Sequence, residues 1–380
     1  MIKPIYLDYH ATTPVDHRVL EEMLPFLKNK YGNPSSIDHI YGNDSLNAVT
    51  NSREQIARLI NTNPEDIIFT SGATEANNLA LIGIAKTLEK GSHIITTSIE
   101  HKSILNTCKY LESMGYIISY LNVNKNGMIN LDTLKSTITN KTKLISIMAA
   151  NNEIGTIFPL KEIGKIAKKY NILFHTDAAQ AFGHIPIDMN KMNINLMSIS
   201  SHKMYGPKGI GALIVKRGIN LKPLIYGGGQ ERGLRSGTLN VPAIVGFGKA
   251  SDIAKTELIS SAKHLNMLRT KLYKNLSSKV NIILNGSFDN RLTHNLSLYI
   301  PNVDAKALIN EVKNDLALSS GSACTAENLT PSHVILALGH NVERAHATIR
   351  IGLGKYTTEK DIKNTVDILA TAINKLRALN

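Results

Sequence analysis

The sequence predicts an α/β fold: a large domain with a mostly parallel central sheet flanked by helices, plus a smaller α+β domain. Three observations carry this expectation. Short apolar runs alternate with longer helical periods over the first two thirds of the chain. The texture changes near residue 245. At 380 residues the chain also exceeds one small module and fits about two to three domains. In order, the strand-like runs are 67–70, 93–97, 117–121, 144–149, 172–176, 196–200 and 212–215. Helical periods at 75–89, 102–114 and 160–170 lie between them, with Thr74 and Pro159 as start signals. A long helical period then runs over 245–277, followed by strand candidates at 280–284 and 294–299 and helices at 304–314 and 358–379. The expected division is an N-terminal segment 1–15 packing with the small domain or an interface, a large domain 16–245 and a small domain 246–380.

Composition narrows the class. A hydrophobic share of 43% with 19% charged residues excludes a disordered chain. No apolar run approaches the roughly 20 residues that span a bilayer. The opening Met1-Ile2-Lys3-Pro4-Ile5-Tyr6-Leu7-Asp8 carries no signal-peptide pattern, so a cytoplasmic location is expected, with no membrane partner. The net charge is +13, yet the basic residues are spread along the chain and only 5% are aromatic. That reads as a basic solvated surface rather than a nucleic-acid site. Two cysteines, Cys108 and Cys324, cannot build a disulfide framework. The histidines show no metal-ligand spacing, and no metal is expected.

Ligands of open α/β sheets bind outside the carboxyl ends of strands, so the residues just after each apolar run matter most. Asp177 follows 172–176, either as a turn or cap residue or as an anion beneath a cationic ring or metal. Ser200-Ser201-His202-Lys203 closes 196–200. A lysine there is either solvent-facing or partly desolvated, and desolvation frees its amine for nucleophilic or Schiff-base chemistry. The glycines of 206–211 match neither G-x-x-x-x-G-K-[ST] nor G-x-G-x-x-G. Ser71-Gly72-Ala73-Thr74-Glu75 leads into a helix and offers backbone N–H groups to an anion. The stretch 227–238, rich in Gly, Arg and Ser, approaches a phosphate or is a surface loop. His101 is an acid/base, a stacked ring or a structural histidine. Cys324 sits among small residues, Ser319-Ser320-Gly321-Ser322-Ala323-Cys324-Thr325, as an accessible thiol, whereas Cys108 falls in a helical period as a buried hydrophobe. Arg350, inside the apolar run 348–353, needs a carboxylate, either a substrate's or a buried side chain's.

Together these residues resemble the pyridoxal phosphate site of fold-type I enzymes. The chain is similar over nearly its whole length to the class V aminotransferase family, and within it to NifS/IscS-type cysteine desulfurases. The resemblance runs through Tyr6-Leu7-Asp8-Tyr9, Ala11-Thr12-Thr13-Pro14, Gly32-Asn33-Pro34-Ser35-Ser36, Phe69-Thr70-Ser71-Gly72-Ala73-Thr74-Glu75, Asn151-Asn152-Glu153-Ile154-Gly155, His202-Lys203, 227–238 and 319–325. It implies a fold-type I transferase with pyridoxal 5'-phosphate held as a Schiff base on Lys203, which then moves the substrate Cα proton. Asp177 is implied to keep the pyridine nitrogen protonated, Gln180 to bond the phenolic oxygen and His101 to stack on the ring as acid/base. Ala73, Thr74, Ser200 and His202 are implied to bind the phosphate, joined by Thr238 from a neighbouring subunit in a homodimer. Asn152 and Arg350 are implied to hold the substrate carboxylate. Cys324, on a loop of the small domain, is implied to take sulfur from L-cysteine, leaving L-alanine and a persulfide that passes to an iron–sulfur scaffold or a tRNA-thiolation protein. Ser201, where many relatives have Gly, and Gln230, often His, depart from the pattern away from this chemistry. Transamination needs no thiol, which Cys324 argues against.

Overall fold

The computed structural model of the chain describes residues 3–320 and 330–379. It opens with β1 (Ile5–Tyr6), α1 (His17–Lys28) and α2 (Ile40–Ile60). Alternation follows: β2 (Ile67–Thr70), α3 (Ala73–Ala85), β3 (His93–Thr97), α4 (Lys102–Ser113), β4 (Ile117–Leu121) and α5 (Leu131–Thr137). Next come β5 (Thr142–Ser146), α6 (Leu160–Lys169), β6 (Leu173–Asp177), β7 (Leu196–Ser200) and β8 (Gly211–Val215). These strands make one seven-stranded sheet, ordered β2-β8-β7-β6-β5-β3-β4. All its members run parallel except β8, which is antiparallel to both β2 and β7. Helices cover both faces, so β2, β3, β7 and β8 are buried at every residue and read as unbroken apolar runs, while the edge strand β4 is only partly covered. Each helix buries one stripe: α6 turns Leu160, Ile163, Ile166 and Ala167 inward and its lysines outward.

The helix α7 (Val241–Ser277) starts four residues before the expected 245, because the Asn240 side chain caps the Ala243 N–H and Pro242 suits the first turn. It crosses residue 245 without a break. Its first half packs Val245, Phe247 and Ile253 into the core of the large sheet. Its second half packs Leu265, Leu268, Leu272 and Leu276 into a separate core with Leu7, Leu296 and Ile349. That second core is framed by β9 (Ile283–Leu284), β10 (Asn295–Tyr299), α8 (Ala305–Val312), β11 (Leu316–Ala317) and β12 (Ser319–Ser320). The short α9 (His333–Ala337) and α10 (Val342–His346), then β13 (Thr348–Gly352) and α11 (Glu359–Ala378), complete the chain. An antiparallel sheet β12-β13-β10-β9 and a parallel pair β1-β11 form this lobe. Among the described residues no helix is long and apolar enough to cross a membrane.

Since β2, β3, β5, β6 and β7 point the same way, their carboxyl ends share one edge of the sheet. The turn 71–72, His101, Asn152, Asp177 and the 201–203 turn therefore meet there.

Candidate active site

That edge opens on a cavity of about 610 Å³ lined by both lobes and by the N-terminal segment. Lys203 ends a short 3-10 turn, Ser201–Lys203, directly after β7. It is half-buried, and its Nζ donates to the carbonyl of Ala11 at 2.8 Å and to that of His10. Asp177 closes β6, is 6% exposed, and accepts from Asn77 Nδ2 at 2.7 Å and from the Ala179 N–H at 2.9 Å. The same Asn77 nitrogen donates to Ser103 Oγ at 2.8 Å, and Ser103 Oγ lies 2.8 Å from His101 Nδ1. The Ser103 backbone N–H also donates to His101 Nδ1, at 3.1 Å. His101, the N-cap of α4, thus accepts at Nδ1, and a neutral ring carries its proton on Nε2. A continuous hydrogen-bonded path links Asp177 to His101.

Opposite, Ala73 and Thr74 open α3, whose N-cap Gly72 has no side-chain cap bond. Free N–H groups at a helix start favour an anion. Glu75 in that first turn is offset by Arg235 at 2.9 Å. Ser200 and His202 line the same cavity. His202 is pushed down to about 4 by burial, with Lys203 and Lys208 adding to the effect, so it is neutral at ordinary pH. Arg350 rises from β13, 4% exposed; it donates to the Asn152 carbonyl at 3.1 Å and to Asp8 at 3.0 Å. Its Nε has no hydrogen-bond partner among the described residues. The carboxylate Arg350 holds here is that of Asp8, which also accepts from Ser319 Oγ at 2.8 Å. Asn152 and Gln180 complete the lining.

The cavity therefore gathers Ala73, Thr74, His101, Asn152, Asp177, Gln180, Ser200, His202, Lys203 and Arg350. Thr238 does not line it; it is exposed at the end of the 227–238 stretch. That stretch is tied down by buried Glu231, which accepts from the Phe69 N–H at 2.7 Å and from Arg53. Cys324 lies outside the described residues. The chain beyond it returns at Ser332, which donates to the Glu153 carboxylate, and at His333, whose Nε2 donates to the Glu100 carbonyl at 3.0 Å. Cys108 is buried, and burial pushes its thiol well up, as expected of a packed hydrophobe.

Sequence reasoning missed Asn77, Ser103, Asp8 and His10. Asn77 left one signal, an amide on the apolar face of α3 between Ala76 and Leu79, where an unpartnered polar group is costly. The donor set fits pyridoxal phosphate: a buried carboxylate for a ring nitrogen, an amine lining the same cavity, and a helix start with Ser200 and His202 for a phosphate.

The model of the family "Aminotransferase class-V" matches residues 5–365. A cysteine desulfurase IscS of Rickettsia prowazekii (strain Madrid E) is 51% identical over 381 residues, covering 99% of this chain and 93% of its own. Among solved structures, a NifS-like protein superposes with a TM-score of 0.92 at 40% identity, over 98% of this chain and 100% of its own. SspA, solved in complex with cysteine, superposes with a TM-score of 0.83 at 40% identity, over 94% of this chain and 100% of its own. With a fold-type I architecture and this match along its length, the chain belongs to the class V aminotransferase family, in its NifS/IscS-like branch.

Proposed function

We propose that this protein is a pyridoxal-phosphate-dependent cysteine desulfurase that removes sulfur from L-cysteine, releases L-alanine and leaves a persulfide on Cys324. The observation that carries the reading is the meeting of Lys203, Asp177 and Arg350 in one cavity at the carboxyl edge of the sheet. Pyridoxal phosphate bound there supplies an electron-withdrawing ring that stabilises negative charge on the substrate Cα. Lys203 would hold the cofactor through its amine and would move the substrate Cα proton. Asp177, oriented by Asn77, keeps the ring nitrogen protonated. Ala73, Thr74, Ser200 and His202 bind the phosphate, with Thr238 supplied by a second copy. Gln180 bonds the phenolic oxygen. His101 would stack on the ring and would exchange protons through Nε2, since Nδ1 accepts from Ser103. Arg350 exchanges the carboxylate of Asp8 for that of the substrate, with Asn152 beside it. The Cys324 thiolate attacks the substrate sulfur: the C–S bond breaks, an S–S bond forms, and the carbon takes a proton to become alanine.

The working unit is a homodimer in the cytoplasm, divided into the segment 1–15, a large domain 16–245 and a small domain 246–380 that carries the cysteine. The persulfide passes to an iron–sulfur scaffold or another acceptor protein such as a tRNA-thiolation partner. Purified wild-type protein is expected to show a visible chromophore that changes on adding L-cysteine, with alanine and persulfide formed in equal amounts. Lys203→Ala should lose the linked chromophore; Cys324→Ala should keep it and lose persulfide formation by several orders of magnitude, up to about 10⁶-fold, as removal of a nucleophile does. Unchanged sulfur transfer by Cys324→Ala refutes the assignment.

A further inference from the structure

We infer that His10 is a positioning residue that fixes the Gln180 amide with its nitrogen, not its oxygen, available to the cofactor cavity; the inference rests on the function proposed above. His10 is 1% exposed and sits between two amides. Its Nδ1 is 3.1 Å from Gln180 Oε1, and its Nε2 is 3.0 Å from Asn295 Nδ2. A neutral imidazole has one donor and one acceptor, so the geometry turns on which nitrogen carries the proton.

Arg291 decides it. A guanidinium only donates, and Arg291 Nη1 lies 2.9 Å from Asn295 Oδ1, which makes that atom the oxygen. Asn295 Nδ2 also meets the Glu153 carbonyl at 3.1 Å, which only accepts. Asn295 therefore donates to His10 Nε2, and the ring proton resides on Nδ1. An Nδ1–H needs an acceptor, which Gln180 Oε1 supplies. Gln180 Nε2 then donates one N–H to the His10 carbonyl at 3.0 Å and keeps a second for the cavity that Gln180 lines. Turning the amide over sets N–H against N–H and carbonyl against carbonyl, losing two buried hydrogen bonds.

A neutral His10 satisfies both amides, whereas an imidazolium would set its Nε2–H against the Asn295 N–H. The rings of His294, 4.5 Å from His10, and of His184, 4.3 Å from His294, stack beside it. Arg350, Lys203 and His184 face it as cationic or titratable groups, and burial with these neighbours holds His10 well below its ordinary value. A phenolic oxygen bearing negative charge is stabilised by the Gln180 N–H and repelled by a carbonyl oxygen in its place.

The test uses the full chain, first stripped of cofactor and then reloaded with pyridoxal phosphate. His10→Asn keeps a donor near Nδ1, whereas His10→Phe keeps a stacking ring and removes both nitrogens. His10→Phe is expected to weaken pyridoxal phosphate binding by about 3- to 10-fold, one hydrogen bond's worth. It should also raise the pH midpoint of the visible band, because charge left on the phenolic oxygen holds the linking nitrogen's proton more tightly. His10→Asn should stay within about 2-fold of wild type, well below the loss of one hydrogen bond. Should His10→Phe fold poorly, Asn295→Asp sets an acceptor against Nε2, draws the proton there and should shift binding and midpoint in the same direction. In a Gln180→Leu background neither change should add anything. Equal behaviour of His10→Phe and His10→Asn, or effects that persist without Gln180, overturns the inference. A wild-type chain that takes up no pyridoxal phosphate instead overturns the functional reading, and this inference with it.

Discussion

Glu100 is the residue whose chemistry the fold alters most usefully for a test. Its Oε1 accepts from the Met148 N–H at 3.0 Å and Thr97 Oγ1 at 2.8 Å, while Oε2 has no partner among the described residues. Burial, against those two hydrogen bonds and with Asp177 adding to the rise, pushes its carboxyl up to about 8 from an ordinary 4.5. Between those values the folded chain keeps a proton that the unfolded chain releases, so folding stability falls as pH climbs and levels off above about 8. Glu100→Gln keeps the carbonyl acceptor and removes the titration. Its melting temperature should gain on wild type by a few degrees between about pH 5 and pH 8, measured by calorimetry; a constant difference across that range contradicts the buried proton. Single residues were legible only in part. Lys203 and Asp177 stand out because each follows an apolar run. Asn77, Ser103 and His10 do not, because their partners lie far away in sequence and only the folded sheet edge brings them together. Arg350 was read with two possible carboxylates, and the structure supplies one of them in Asp8.

Four strands of the central sheet, β2, β3, β4 and β7, match their expected runs to the residue, and β6 and β8 match to within one. The strand β5 is Thr142–Ser146 rather than 144–149, because the apolar run continues past the last paired residue toward the cavity. The helices α1 and α2 were not legible. The second is rich in Asn, Ser and Thr, which favour helices poorly, and it gains its order by packing on α7 together with its His39 N-cap and its left-handed Asn61 C-cap. The first contains Pro25 in its interior. How closely two elements approach is likewise invisible in sequence, and Gly211 shows why it matters. A Cβ there would come within 2.5 Å of the Ile199 carbonyl oxygen and 2.7 Å of Gly72 Cα. The start of β8 thus lies directly against the turn that feeds α3 and presents Ala73 and Thr74. Gly211→Ala must push these backbones apart, at a cost of about 1–3 kcal/mol for overpacking. It should also weaken pyridoxal phosphate uptake, measured by titrating the cofactor-free protein. The spacing predicts no comparable loss for Gly218→Ala in the processing of the cofactor site, although its φ of +88° strains any side chain there locally.

At the scale of the molecule, the cavity is assembled where two cores meet: Lys203 and Asp177 from the large sheet, Arg350 from the antiparallel sheet, and His10 from the N-terminal segment. One piece of the proposed site is missing from that assembly, since Thr238 is exposed and outside the cavity. The surface near the α1–α2 connection suggests what completes it. Tyr31 and Tyr41 stack at 5.6 Å, yet Tyr31 is 72% exposed, and Ile37 and Ile40 beside them in sequence are 62% and 69% exposed. Apolar side chains left in water forgo roughly 25 cal/mol for each Å² that a partner would cover, and such clusters mark protein–protein contacts more often than solvated surface. In the proposed homodimer, a second copy seated on this face would bury them and bring a Thr238 to each cavity. The double variant Ile37→Asp with Ile40→Glu places two carboxylates in that contact. Light scattering should show the wild type at twice the chain mass and the variant at the chain mass, and the monomer should bind pyridoxal phosphate more weakly through loss of the partner's hydroxyl. Thr238→Ala should weaken cofactor binding in the dimer in the same direction while leaving its mass unchanged. A variant that is monomeric yet loads cofactor like wild type separates the two ideas: the apolar face then joins two copies whose sites are complete on their own.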